Sequence, residues 1–138
     1  MERARLQHTV AVSWLSIIGG AAVFAWMFFA TLDRSLAGQA VGMMLKVHTW
    51  WAIGCATLLL FSRPSVDARR LVIGMLVCAL TIHFGLQPMM AALRAEAAAG
   101  TLTADLKTQF GLLHLGSVAF FAAEALMGVL LVLRLTRR

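Results

Sequence analysis

Three histidines, His48, His83 and His114, lie within long apolar stretches of this 138-residue chain. Ionisable side chains are rare in such stretches and often mark a function. Imidazole is a ligand for copper and for haem iron, and the methionine thioether is a further ligand for copper. These residue types raise the hypothesis of a haem b or copper site on the three histidines. Four methionines close to two of them along the chain would be additional metal ligands: Met43, Met44, Met89 and Met90.

A second interpretation of these histidines is structural. Each could donate a hydrogen bond to a neighbouring helix, and methionine is a common filler of apolar packing. No His-x-x-x-His or Cys-x-x-Cys pair, which would place two metal ligands one helical turn apart, occurs in the chain. Both interpretations stay open, and they differ in whether the three histidines converge.

Glu124 is an acidic residue inside the last apolar stretch. His114 and Ser117 precede it by ten and seven residues, which places all three on one face of a helix. A carboxylate in a bilayer is costly, so Glu124 should face the interior of the protein and have a polar partner. We predict an intramembrane polar stripe of His114, Ser117 and Glu124. Its role is either proton relay or cation binding, or it is a neutral acid hydrogen-bonded to a neighbouring helix.

The elements that carry these residues follow from composition. The chain is 61% hydrophobic and 13% charged, whereas soluble domains are about half apolar and about a quarter charged. Four apolar stretches are each long enough to cross a ~30 Å hydrocarbon core, and backbone in lipid must satisfy its hydrogen bonds within the segment. The sequence therefore predicts an all-α integral membrane protein, a single domain over 1–138 that forms an antiparallel four-helix bundle. The predicted helices cover about 10–32, 41–62, 70–93 and 106–134.

Lysine and arginine are distributed unevenly between the two sides of the predicted bundle. Eight lie at the termini and in the second connection, and four lie in or near the other two connections. The positive-inside rule then places both termini in the cytoplasm, as for a multi-pass protein of a bacterial-type inner membrane. The basic residues are expected to meet anionic lipid headgroups, and no nucleic-acid partner is predicted.

The predicted connections contain residues that are typical of the first and last positions of helices. We expect a loop over 33–39 between the first two helices. Ser65 or Asp67 can cap the third helix, and Thr103 can cap the fourth. Gly100 is expected to end a helical extension of the third span.

The stretch Phe110-Gly111-Leu112-Leu113-His114-Leu115-Gly116-Ser117 is similar to a phenylalanine, histidine, glycine and serine signature. That signature is typical of the domain-of-unknown-function 4149 family, which includes transmembrane protein 205. Residues 19–39 and 87–94 also resemble segments of that family. The resemblance implies a four-helix membrane protein, with some relatives linked to tolerance of drugs or metals, and it does not imply an enzyme.

Two classes of function remain. The chain has no glycine-rich phosphate loop and no serine-histidine-aspartate arrangement, so no catalytic residue is predicted. The first class is a non-enzymatic membrane protein, either an accessory subunit of a larger membrane complex or an oligomeric transporter or tolerance factor. The alternative is a haem b or copper protein in electron transfer or metal handling. Four helices are few for a transport path through one chain, so we expect a homo-oligomer or association with another membrane protein.

Overall fold

A computed structural model describes residues 2–100 and 103–137 of the chain, with only the backbone of Arg34. All regular structure in these two ranges is helical. The third and fourth helices are joined without a break by a π-helical turn, Thr81–Leu86. The helices are α1 (Glu2–Thr31), α2 (Arg34–Phe61), α3 (Val66–Leu80), α4 (Gln87–Ala98) and α5 (Ala104–Thr136).

Four helical segments are long and apolar enough to cross a membrane, which confirms the predicted number of spans. They are α1, α2, the continuous segment Val66–Ala98, and α5. The main interhelical contacts join α1 to α2, α2 to α3, α3 to α5 and α5 to α1. The spans therefore form a closed ring of four, in which α2 and α5 lie diagonally across the bundle.

Polar contacts tie the helix ends together at one end of the ring. Gln7 Nε2 donates to the backbone oxygen of Ser62 at 3.1 Å and to its hydroxyl at 2.9 Å. Arg134 lies 3.3 Å from the carboxylate of Asp67. The start of α1, the α2–α3 connection and the end of α5 consequently share one end of the bundle, which we call the termini end. Its placement in the cytoplasm stays a prediction.

The helices are longer than predicted. At ~1.5 Å per residue, each span exceeds the ~30 Å hydrocarbon core. The predicted loop over 33–39 is wrong, because α2 already begins at Arg34. The cause is Asp33, whose side chain accepts hydrogen bonds from the backbone N–H groups of Ser35 and Leu36 at 2.9 and 3.0 Å. An aspartate cap of this kind satisfies the first turn and lets the helix start early.

The other residues predicted to begin or end helices lie at helix ends in the structure. The Ser65 hydroxyl accepts from the N–H of Ala68 at 3.4 Å and caps α3. The Thr103 hydroxyl accepts from the N–H of Leu106 at 3.2 Å and caps α5. Gly100 follows α4 with a φ of 86°, a conformation that favours glycine.

The π-helical turn is explained by the proline that follows it. Pro88 has no N–H, and in a regular α-helix its ring would clash with the carbonyl of Phe84. The turn over Thr81–Leu86 widens the helix, and the N–H of Gln87 donates to the carbonyl of Ile82, five residues earlier. A widened turn of this type is often found at functional sites.

The apolar core lies mainly towards the termini end. Its largest fully buried side chains include Trp14, Leu59, Met75 and Leu131. Helix α5 approaches closely at Gly128, where an added Cβ would lie 3.2 Å from atoms of Leu15 and of Met75. Many large apolar side chains point outward, as expected for a bundle surrounded by lipid.

Candidate functional site

Side chains from three spans meet at Glu124 in the middle of the bundle. The Glu124 side chain is 0% exposed, as is that of Trp14, and His48 is 2% exposed. Trp14 Nε1 on α1 donates a hydrogen bond to Glu124 Oε1 at 2.9 Å. His48 Nε2 on α2 lies 3.2 Å from the same oxygen. We call Trp14, His48 and Glu124 the polar triad.

The triad lies at one level of the bundle. Each of its residues is twelve or thirteen residues from the termini end of its helix. At ~1.5 Å per residue this is ~18 Å, so the triad lies in the middle part of each of these helices. The equal depth explains how α2 and α5, which are diagonal neighbours, bring His48 and Glu124 into contact across the bundle.

The contact between His48 and Glu124 is close but not an aligned hydrogen bond. Although Nε2 and Oε1 are 3.2 Å apart, Nε2 has no hydrogen-bond partner of acceptable geometry among the described residues. The distance permits charge attraction, while the direction of the ring nitrogen does not favour a linear bond. Glu124 Oε2 is also buried without a hydrogen-bond partner in the same part of the chain. The triad therefore retains capacity for a proton at two atoms.

Two protonation states keep this site electrically neutral. In one, a Glu124 carboxylate faces a His48 imidazolium; in the other, a Glu124 carboxylic acid faces a neutral imidazole. Oε1 can accept from Trp14 in both states, because a carboxylate oxygen and a carbonyl oxygen are each acceptors. A neutral pair avoids much of the cost of about 2.5–3.5 kcal/mol that insertion scales assign to a charged side chain at the helix centre. Transfer of one proton between the two residues thus changes no net charge.

Neighbouring side chains enclose the triad. The Phe121 ring, one turn before Glu124, lies 5.7 Å from the His48 ring, centroid to centroid. Helix α5 therefore contributes both the carboxyl group and an aromatic ring beside His48.

The predicted polar stripe on the last helix is only partly inside the bundle. Glu124 is buried and has polar partners, as expected, and Ser117 is buried on the same face. His114 is exposed, and its ring stacks on Phe110 of the same helix with the centroids 6.4 Å apart. The histidine that meets Glu124 is His48 of another span, and not His114.

The structure also places the three histidines of the cofactor hypothesis in different surroundings. His48 belongs to the triad, His83 lies half-buried in the π-helical turn, and His114 is exposed. No group of three or more histidine, cysteine or acidic side chains within 2–100 and 103–137 is placed to hold a metal ion. The haem or copper hypothesis stays a prediction without support from this geometry.

The four methionines proposed as metal ligands also differ from one another in burial. Met43 and Met89 are well exposed, Met44 is partly buried, and Met90 is buried. Outward-pointing methionines are compatible with lipid-facing packing.

Four apolar spans enclosing a buried acid and an imidazole define a multi-pass, all-helical membrane protein with a polar centre. Comparison with protein families matches residues 10–99 to a domain of unknown function, DUF4149. The match covers well over half of the chain, and the protein belongs to that family. No curated protein and no solved structure matches the chain significantly.

The family match covers only part of the triad. Trp14 and His48 lie within residues 10–99, whereas Glu124 and the signature over 110–117 lie beyond them. The segments 19–39 and 87–94, which carried the resemblance from sequence, lie inside the match. Similarity to transmembrane protein 205 in particular stays a prediction.

Sequence reasoning identified Glu124 but missed both of its partners. The signal available for Trp14 was its indole N–H, which needs an acceptor when the ring is buried. For His48 the available signal was its helix position. Counted from the termini end it lies at the level of Glu124, whereas His114 lies ten residues further from that end.

Proposed function

We propose that this protein is a small proton-coupled transporter of the bacterial inner membrane, in which Glu124 and His48 take up and release a proton. The observation that carries the proposal is the fully buried contact between His48 Nε2 and Glu124 Oε1, 3.2 Å apart in the middle of the bundle. Intramembrane glutamate and histidine side chains characteristically form proton pathways in pumps and transporters.

The incomplete hydrogen bonding of the triad favours proton handling over a purely structural role. An unpartnered buried polar atom costs about 1–3 kcal/mol. A cluster that serves only to hold helices together is more stable when each member is satisfied. Here Glu124 Oε2 and His48 Nε2 are both without an aligned partner among the described residues. These two atoms are the ones that would bind the transported proton.

We propose further that the protein acts as an assembly of several copies with the termini end in the cytoplasm. Four spans give little room for a transport path within one chain, and the excess of lysine and arginine at the termini end supports the orientation. Native mass spectrometry would give the number of copies. Carboxyl-terminal reporter fusions active only outside the cytoplasm would contradict the orientation.

The central experiment observes the Glu124 proton directly. Infrared difference spectra of the protein in vesicles, between acidic and alkaline buffer, should contain carbonyl bands of protonated carboxylic acids, to which all six acidic side chains can contribute. The wild-type spectrum minus that of Glu124→Gln isolates the Glu124 band, whereas Ser117→Ala, on the same face of α5, should retain it. A Glu124 band that is unchanged over the pH range in which the protein stays folded would refute proton coupling at this site.

A functional readout completes the test. Vesicles that contain the protein and an enclosed pH-sensitive dye would be given a potassium diffusion potential, and proton entry would be followed. We expect faster entry with the wild type than with Glu124→Gln. Normal folding and assembly of Glu124→Gln together with undiminished proton entry would favour an accessory-subunit role instead.

A further inference from the structure

An open groove runs along the outside of the bundle between α2 and the segment that contains the π-helical turn. It has a volume of about 380 Å³. Gly42 and Lys46 of α2 form one wall, and the other wall is formed by His83, Phe84, Gln87, Pro88 and Ala91. The groove is separate from the polar triad, because none of its lining residues belongs to the triad.

The polar groups in this groove point to an anionic ligand. Lys46 is exposed, and no ion pair to it occurs in the described part of the chain. His83 Nδ1 is buried and has no hydrogen-bond partner among the same residues. Gln87 adds a side-chain amide at the same wall. The groove thus offers the ammonium group of Lys46 and the polar side chains of Gln87 and His83, and none of its lining residues in the described part of the chain is acidic.

The rest of the lining is apolar and faces the membrane. Phe84 and Pro88 are exposed, and Gly42 leaves the α2 wall without a side chain. Lys46 lies about fifteen residues from the termini end of its helix, so its Cα atom is ~22 Å along the bundle from that end. Long lysine side chains extend towards the interface, which brings the amine near the headgroup level on the side opposite the termini end.

We propose that this groove binds one anionic phospholipid, with the lipid phosphate held by Lys46, His83 and Gln87. An acyl chain would lie against Phe84 and Pro88. An ammonium group is a good charged donor to a phosphate oxygen, and the exposed apolar side chains beside it suit an acyl chain. The widened turn before Pro88 contributes by placing His83 and Gln87 at the groove wall.

The test is native mass spectrometry of the whole, detergent-purified protein titrated with phosphatidylglycerol or with phosphatidylcholine. We expect the wild type to retain phosphatidylglycerol in preference to phosphatidylcholine. Lys46→Gln should weaken phosphatidylglycerol binding by about tenfold, as expected for loss of one charge-assisted contact. The matched control is Lys107→Gln, since Lys107 is the only other lysine and does not line the groove.

A second variant closes the groove without removing charge. A Cβ at Gly42 would lie 3.7 Å from Gln87 Oε1, an ordinary contact, so Gly42→Leu should fold while its side chain fills the groove. Gly42→Leu should therefore lose phosphatidylglycerol although Lys46 is intact. Circular dichroism spectra equal to that of the wild type would establish that both variants are folded.

Three outcomes would overturn the proposal. The first is equal binding of phosphatidylglycerol to the wild type, Lys46→Gln and Gly42→Leu. The second is equal retention of the two lipids by the wild type, which would show no preference for a negative headgroup. The third is displacement of the lipid by inorganic phosphate at equal concentration, which would indicate a site for free anions.

Discussion

Replacing Glu124 by leucine should expose the energetic role of the polar triad. The substitution leaves the Trp14 N–H, now 2.9 Å from an acceptor, buried without one. An unsatisfied buried donor costs about 1–3 kcal/mol, and leucine is close enough in volume to glutamate to add little cavity energy. We therefore expect Glu124→Leu to lower the free energy of unfolding by about 1–3 kcal/mol. Glu124→Gln should lower it less, because its amide oxygen can still accept from Trp14.

A double-mutant cycle isolates the contact between Trp14 and Glu124. Trp14→Phe, Glu124→Leu and the double variant would be unfolded by SDS titration in mixed micelles and followed by far-ultraviolet circular dichroism. Hydrogen bonds between membrane helices average about 0.6 kcal/mol in such cycles, with a maximum near 1.7. Both residues here are 0% exposed, so we expect a coupling energy of about 1–2 kcal/mol.

Ser117→Ala is the matched control for these measurements, since Ser117 lies on the same buried face of α5. Its effect on the free energy of unfolding should be smaller than that of Glu124→Leu. A coupling energy near zero would refute the hydrogen bond as a stabilising contact. A Glu124→Leu variant more stable than the wild type would show that the desolvation free energy of the buried carboxyl group exceeds the stabilisation from its contacts.

Three further variants test local features with the same unfolding assay. Arg63 has a φ of 53°, and Arg63→Gly should raise the free energy of unfolding by about 1 kcal/mol because glycine tolerates this conformation; no gain would contradict the strain argument. Gln7→Leu should lower the free energy of unfolding by about 1–2 kcal/mol, because two hydrogen bonds to Ser62 are lost. An unchanged free energy of unfolding would show that this contact is not stabilising. Gly128→Leu should lower the free energy of unfolding by about 1–3 kcal/mol, because the larger side chain overpacks the core. Gly111→Leu should leave it unchanged, because an added Cβ there meets nothing within 4 Å. Equal effects of the two substitutions would refute close packing at Gly128.

The number of spans and their helical nature could be predicted from the sequence. Long uncharged stretches leave a chain in lipid no alternative to helix, because each backbone group must be paired within its own segment. Ser65, Thr103 and Gly100 could also be assigned, since a cap depends on residues only a few positions away. The start of α2 is not decided by the sequence, because an aspartate such as Asp33 is equally suited to a loop and to a helix cap.

The burial of Glu124 followed from the sequence as well. A carboxyl group at the centre of an apolar span costs free energy if it faces lipid, so the residue type alone indicates that it faces the interior of the bundle. The sequence could not supply its partners. Periodicity along α5 favoured His114 because both residues share one helix, and spacing within a helix is all that a linear pattern contains.

Only the tertiary structure decided that His48 meets Glu124 and that Trp14 donates to the same oxygen. The outcome depends on the length of each helix beyond the bilayer and on its rotation about its own axis. A few extra residues at one end shift a side chain by a whole turn in depth, and a rotation of 100° per residue moves it to another face. Those quantities are set by packing among all four helices, including the close approach at Gly128. A bundle therefore fixes its diagonal contacts collectively, and no single span encodes them.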